Sequence, residues 1–136
     1  MIEWIMLIPS VVFTRIKTGL SEDIKTKYGM TDDNFSAVDE NNKKAVFPFV
    51  YVHLLPATEV GADLSGDHIN AGMFTFQIDV YDNRSQSRAK EVASDILSIM
   101  KSMRFNISSM PEFTVSSGVH RCTMRARRVI GSGDVL

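Results

Sequence analysis

The sequence predicts an α+β fold, a mostly antiparallel sheet of four to five strands flanked by two main helices. Three observations predict it. Residues Phe74 to Tyr81 read Phe-Thr-Phe-Gln-Ile-Asp-Val-Tyr, a strict alternation of apolar and polar side chains. Such alternation is the mark of a strand with one face buried. An amphipathic helical pattern, Asn-Arg-Ser-Gln-Ser-Arg-Ala-Lys-Glu-Val-Ala, begins at Asn83 after a very short turn. Two strands precede it and two follow it, and the first two are joined by a loop rather than a helix, which favours antiparallel pairing.

The first long helix is expected from about Ser10 to Tyr28. Phe13, Ile16, Leu20, Ile24 and Tyr28 recur at three- and four-residue steps and form one stripe. Gly29 stands where a left-handed residue ends a helix. Gly19 is a weak point, costing about 1 kcal/mol against alanine in a helix interior, and Ser21 is a candidate restart. Before this helix, Met1 to Ile8 is apolar apart from Glu3 and is interrupted by Pro9. It is too short to span a bilayer and lacks the basic start of a signal peptide. It reads as a separate apolar segment, with Trp4 packing on its own domain or anchoring a partner.

Residues 31–46 are polar and loop-like, with Phe35-Ser36-Ala37-Val38 a candidate short strand. Phe47 to Leu55 is the next strand. It is apolar on both faces and so reads as a central strand covered on both sides, with Pro48 at its start. Residues 56–70 form a long acidic loop, a length that is often functional. In the alternating strand, burying Phe74, Phe76, Ile78 and Val80 is worth on the order of 6–12 kcal/mol before entropy. The following helix has Asn83 and Gln86 in capping-box spacing, and its stripe includes Val92, Ile96 and Met100. Strands at about Phe105–Phe113, with Pro111 marking an edge, and Val119–Ile130 close the fold, and residues 131–136 read as a flexible, frayed tail. The whole chain of 136 residues is one domain, with 44% hydrophobic residues and a net charge of −1. That charge gives no global pull toward nucleic acid or acidic membranes.

No catalytic, metal-binding or cofactor-binding constellation stands out. Cys122 is the only cysteine, which excludes an intrachain disulfide and fits a reducing compartment. His120 and Cys122 share a strand face, but two ligands do not make a zinc site, and a buried core thiol is the simpler reading. His53 lies on a strand beside Tyr51, and His68 follows Asp67 without the geometry a base needs. Gly61, Gly66 and Gly72 do not form a phosphate loop. The chain is expected not to be an enzyme and to need no cofactor.

Charge layout is more informative. The 56–70 loop carries Glu59, Asp63 and Asp67 and no Lys or Arg. On the last strand Arg121, Thr123, Arg125 and Arg127 project to one face and Arg128 to the other. The arginine stripe has three readings. It is a solvated edge that blocks aggregation, a phosphate-contacting surface without an aromatic platform, or half of a head-to-tail contact with the acidic loop of a neighbouring copy.

The segments Phe47-Pro-Phe-Val-Tyr-Val-His-Leu, Phe74-Thr-Phe-Gln-Ile-Asp-Val-Tyr with Ser85-Gln-Ser-Arg-Ala-Lys-Glu-Val, Met103-Arg-Phe, Met110-Pro-Glu-Phe and Arg127-Arg-Val-Ile-Gly-Ser-Gly-Asp follow in this order. Together, over about residues 10–134, they resemble the tail terminator or tail-completion (head–tail joining) family of long-tailed bacteriophages. The resemblance implies a structural virion protein assembled in the host bacterial cytoplasm. It implies a homo-hexameric ring at the head-proximal end of the tail tube, which stops tube polymerisation and meets the head connector. The partners implied are further copies of the chain, the tail tube protein and the connector or neck protein. DNA would pass through the lumen without sequence-specific binding, and no membrane is involved. Glu59, Asp63, Asp67, Arg121, Arg125, Arg127 and Arg128 are the candidate interface residues. A head-closure or stopper ring of the neck, and a small nucleic-acid-binding domain using the basic last strand, are the alternatives.

Overall fold

A computed structural model describes residues 3–37, 46–61 and 69–136 of the chain. Among these residues are three α-helices, α1 (Glu3–Gly19), α2 (Glu22–Tyr28) and α3 (Gln86–Ser102). The strands are β1 (Phe35–Ser36), β2 (Phe49–Leu54), β3 (Thr58–Val60), β4 (Ala71–Asp82), β5 (Asn106–Ser116) and β6 (Val119–Gly131). They form one sheet in the order β1-β2-β4-β6-β5, with β3 paired to the start of β4. Only the two-residue β1 runs parallel to its neighbour. The α+β architecture is the one the sequence predicts; the candidate short strand is present at Phe35–Ser36, and the sixth strand is Thr58–Val60, which is too short and exposed to leave a periodic signal.

β4 fixes the layering. Phe74, Phe76, Ile78 and Val80 are all at most 1% exposed and pack beneath Val92, Ile96 and Met100 of α3. The register carries this face across the sheet, since Val80 lies opposite both Val50 and Cys122, and Ile78 opposite Val52 and Met124. Phe105 closes the core beside the sheet, its ring edge-on to Phe76 at 5.8 Å. α1 lies next to α3, its buried stripe formed by Ile8, Val12 and Ile16. Gly19 at the end of α1 faces Ile99 of α3, and a Cβ there would sit 3.4 Å from the Ile99 side chain, near ordinary contact.

Several boundaries differ from the sequence expectation. α1 begins at Glu3 and carries Pro9 in its interior, so residues 3–9 belong to the helix. A proline there forgoes one ladder bond, and burial of Ile8 with an edge-on contact between Trp4 and Phe74 offsets the loss. The helix then breaks after Gly19 and restarts after Ser21, whose backbone N–H donates to Asp95 at 2.7 Å. Gly29 ends α2 at φ 63°, the left-handed cap expected of it. Thr58–Val60 form a strand within the segment read as loop, held by pairing with Ala71–Met73. α3 starts at Gln86, capped by Ser85 Oγ, which accepts from the Arg88 N–H at 3.2 Å. The Asn83–Gln86 capping box is absent because buried Asp82 claims the Arg84 and Ser85 N–H groups for a turn.

β5 is an edge strand, and two register shifts beside its Pro111 interrupt the ladder. Val38 of the candidate short strand lies outside the described residues. The last residues, read as a frayed tail, carry three hydrogen bonds: Gly131 N–H to the Asp134 carboxylate, Asp134 N–H to the Gly131 carbonyl at 3.1 Å, and Arg15 Nη1 to the Leu136 carbonyl at 3.0 Å. No helix among the described residues is long and apolar enough to cross a membrane.

Replacing Phe76 by alanine removes a ring buried between α3 and Phe105 and leaves a cavity. The expected loss is about 3–5 kcal/mol of unfolding free energy in urea denaturation, with the slope unchanged. A loss below about 1 kcal/mol would contradict this assignment of the core.

Candidate interface on the open face of the sheet

The helices cover one face of the sheet. Among the described residues, nothing covers the other. β2 therefore differs from the expected strand buried on both sides. Val50 and Val52 face the helices, whereas Phe49, Tyr51 and His53 are half-buried on the open face. Their rings lie against neighbours instead of under a second layer. Tyr51 and His53 stack with centroids 4.7 Å apart at 8°, and Phe49 lies tilted on Tyr81 at 6.5 Å. An apolar strand can thus be satisfied by lateral ring contacts, which alternation alone cannot distinguish from two-sided burial.

Asp79 is the centre of this face. It is 1% exposed, although it belongs to the polar register of β4. Its Oδ1 accepts from Thr123 Oγ1 at 2.6 Å and Arg121 Nε at 3.2 Å, with Arg121 Nη2 at 3.1 Å. Gln77 Nε2 donates to Oδ2 at 3.2 Å, and Gln77 Oε1 in turn accepts from Arg125 Nε at 3.1 Å. Arg121 also lies over the Tyr81 ring at 5.7 Å. The carboxylate is thus ringed by donors, the arrangement that makes burial of a charge tolerable.

The candidate arginines divide into three roles. Arg121 is committed to Asp79. Arg125 and Arg127 are exposed on the open face, with Arg125 aligned by Gln77. Arg128 turns to the helix side, as its parity requires. Its Nη1 donates to the Met103 carbonyl at 2.9 Å, and its side chain is 12% exposed. It ties the end of α3 to the sheet and is not presented to a partner. Glu59 is exposed, but its register partner is Gly72, on the helix-side face. The structure therefore does not bring Glu59 and the arginine stripe to one face of a subunit. Asp63, Asp67 and His68 lie outside the described residues.

Asp79 and Gln77 were not singled out from the sequence, and His53 was noted beside Tyr51 without a place on this face. The available signal was their place on the polar parity of strands that alternate. Their meeting with Arg121, Thr123 and Arg125 depends on the β4–β6 register, which pairs Asp79 with Thr123 and Gln77 with Arg125.

Cys122 is buried on the opposite face beneath α3. Burial, with a smaller contribution from the Asp79 charge, pushes its thiol up to about 11. Among the described residues no group of three His, Cys, Asp or Glu side chains is placed to hold a metal ion. The sequence matches no protein-family model and no curated protein.

Two outcomes follow from this geometry. Asp79→Ala leaves Thr123, Gln77 and Arg121 without their shared acceptor, with an expected cost of about 1–3 kcal/mol in denaturant melts; a neutral result would contradict the network. The Cys122 thiol stays protonated through pH 8, since a raised value keeps the reactive thiolate scarce until pH approaches it. Ellman's reagent should find no rapidly reacting thiol in native protein at pH 8 and one in urea.

Proposed function

We propose that the protein is a ring-forming structural subunit of a long-tailed phage, seated at the head-proximal end of the tail tube. There it ends tube growth and receives the head connector. The observation that carries this reading is the open sheet face. It presents Arg125 and Arg127 on a rigid frame, while the acidic Glu59 lies on the helix side. Opposite charges on different faces suit a heterologous contact, in which one copy's basic patch meets the next copy's acidic patch, and such contacts close into rings when the rotation permits. The order of sequence segments, which resembles that of tail terminators, supports the same reading. No covalent step is required of such a subunit. Its work is to be rigid, to match its neighbours, and to present different surfaces to tube and connector.

A second reading has one observation in its favour. The Tyr51–His53 stack shares the open face with Arg125, and aromatic rings beside arginines form a surface for single-stranded nucleic acid. Phe49, Tyr51 and Tyr81 also lie on the arginines' face of the sheet, half-buried rather than exposed as a platform.

The double substitution Arg125→Glu/Arg127→Glu separates the readings. We expect it to abolish ring formation by light scattering, alone or with tail tubes, while leaving the melting temperature within a few degrees. Unchanged oligomer mass would overturn the ring interface. Loss of a steeply salt-dependent affinity for single-stranded DNA, with oligomer mass unchanged, would favour the second reading.

A further inference from the structure

Away from the open sheet face, a cleft of about 460 Å³ lies where α2 ends and α3 begins. Its size is in the range that holds a small ligand. Three cationic side chains line it, Lys27, Arg84 and Arg88, together with Tyr28, Phe47 and Asn83. Charges of one sign do not converge without cost, so their surroundings decide whether the cleft is a site or a solvated surface.

Arg88 is held from two sides. Its guanidinium carbon sits 4.6 Å from the centroid of the Tyr28 ring, and its Nε is 3.4 Å from Asp82 Oδ1. Its side chain is only 19% exposed. Neither Nη nitrogen makes a hydrogen bond among the described residues. A guanidinium fixed by stacking and an ion pair, with its donor ends left over, is a preformed fork for an oxyanion. Tyr28 is itself fixed, its hydroxyl donating to Glu91, which also pairs with Lys27 at 3.2 Å. Those two partners hold the Glu91 carboxyl below its ordinary range.

Among the described residues, Asp82 and Glu91 balance two of the three cations, which leaves one positive charge. Asp82 is further occupied by the N–H groups of Arg84 and Ser85 through its Oδ2. The Arg84 side chain is exposed and makes no ion pair among the described residues. The positive end of the α3 dipole adds to the field on the same side.

We propose that this cleft binds a phosphate group, with Arg88 as the fixed fork and Arg84 and Lys27 as point charges at its rim. Phe47 and Val46 add an apolar wall, against which the body of a phosphate monoester can rest. The site is separate from the open sheet face, so its fate does not depend on the ring reading.

The test is isothermal titration of the full-length protein with inorganic phosphate and with ribose 5-phosphate, against sodium chloride at matched ionic strength. We expect saturable one-site binding. Affinity should fall about tenfold or more in Arg84→Gln, an exposed position whose loss leaves the fold intact, and also in Arg88→Lys, which keeps the charge but removes the fork. Tighter binding of ribose 5-phosphate identifies a monoester as the ligand, and equal affinity identifies free phosphate. Heats no different from chloride, or unchanged affinity in Arg84→Gln, would overturn the proposal.

Discussion

β4 does two jobs with one alternation. Its 12 residues pair with β2, β3 and β6, so every long strand except the edge strand β5 is registered against it. The residues on one parity, Phe74 through Val80, form the floor on which α3 and α1 rest. The residues on the other parity, Gln77 and Asp79, hold the open face together. A one-residue slip of this strand would put Asp79 under the helices and Phe76 in water. Burying each large apolar side chain is worth about 1.5–3 kcal/mol, and an unpaired carboxylate in the core costs several more. The register is therefore fixed from both sides of the sheet.

That arrangement explains why the last strand carries arginines of different character. β6 inherits its parity from β4, so Arg121 and Arg125 meet Asp79 and Gln77, and Arg128 passes beneath the end of α3. The stripe is half structural and half presented. The exposed members on the open face are Arg125 and Arg127, and Arg125 is aligned by its hydrogen bond to Gln77. Pre-alignment of this kind lowers the entropic cost of ordering long side chains at an interface. In the cationic cleft beside α3, Arg88 is positioned by the Tyr28 ring and by an ion-pair contact with Asp82, rather than by a hydrogen bond such as Gln77 gives Arg125.

Much of this was legible in the residues. β4 and α3 announce themselves because their periods of two and 3.6 are unbroken over many residues. Gly29 was legible because few residues other than glycine take a left-handed turn without strain. Other features were hidden for identifiable reasons. Pro9 masked the start of α1, because propensity weighs against a proline that the burial of Ile8 and Trp4 outweighs. Thr58–Val60 is exposed and short, and becomes a strand only by pairing with β4. Asp82 looks like the end of a strand, and its role in displacing the helix start to Gln86 emerges only from its bonds to the Arg84 and Ser85 N–H groups. For the candidate interface, parity placed the arginines correctly. It did not reveal Asp79 as the acceptor that ties down Arg121.

We propose that a subunit with one covered and one presented sheet face assembles head to tail into a closed ring on a tail tube. Electron micrographs of the purified protein mixed with tail tubes test it most directly. A sixfold ring should sit at one end of each tube and be absent from tubes alone. Tubes whose ends are bare at saturating protein, with the protein remaining as dispersed single subunits, would contradict it.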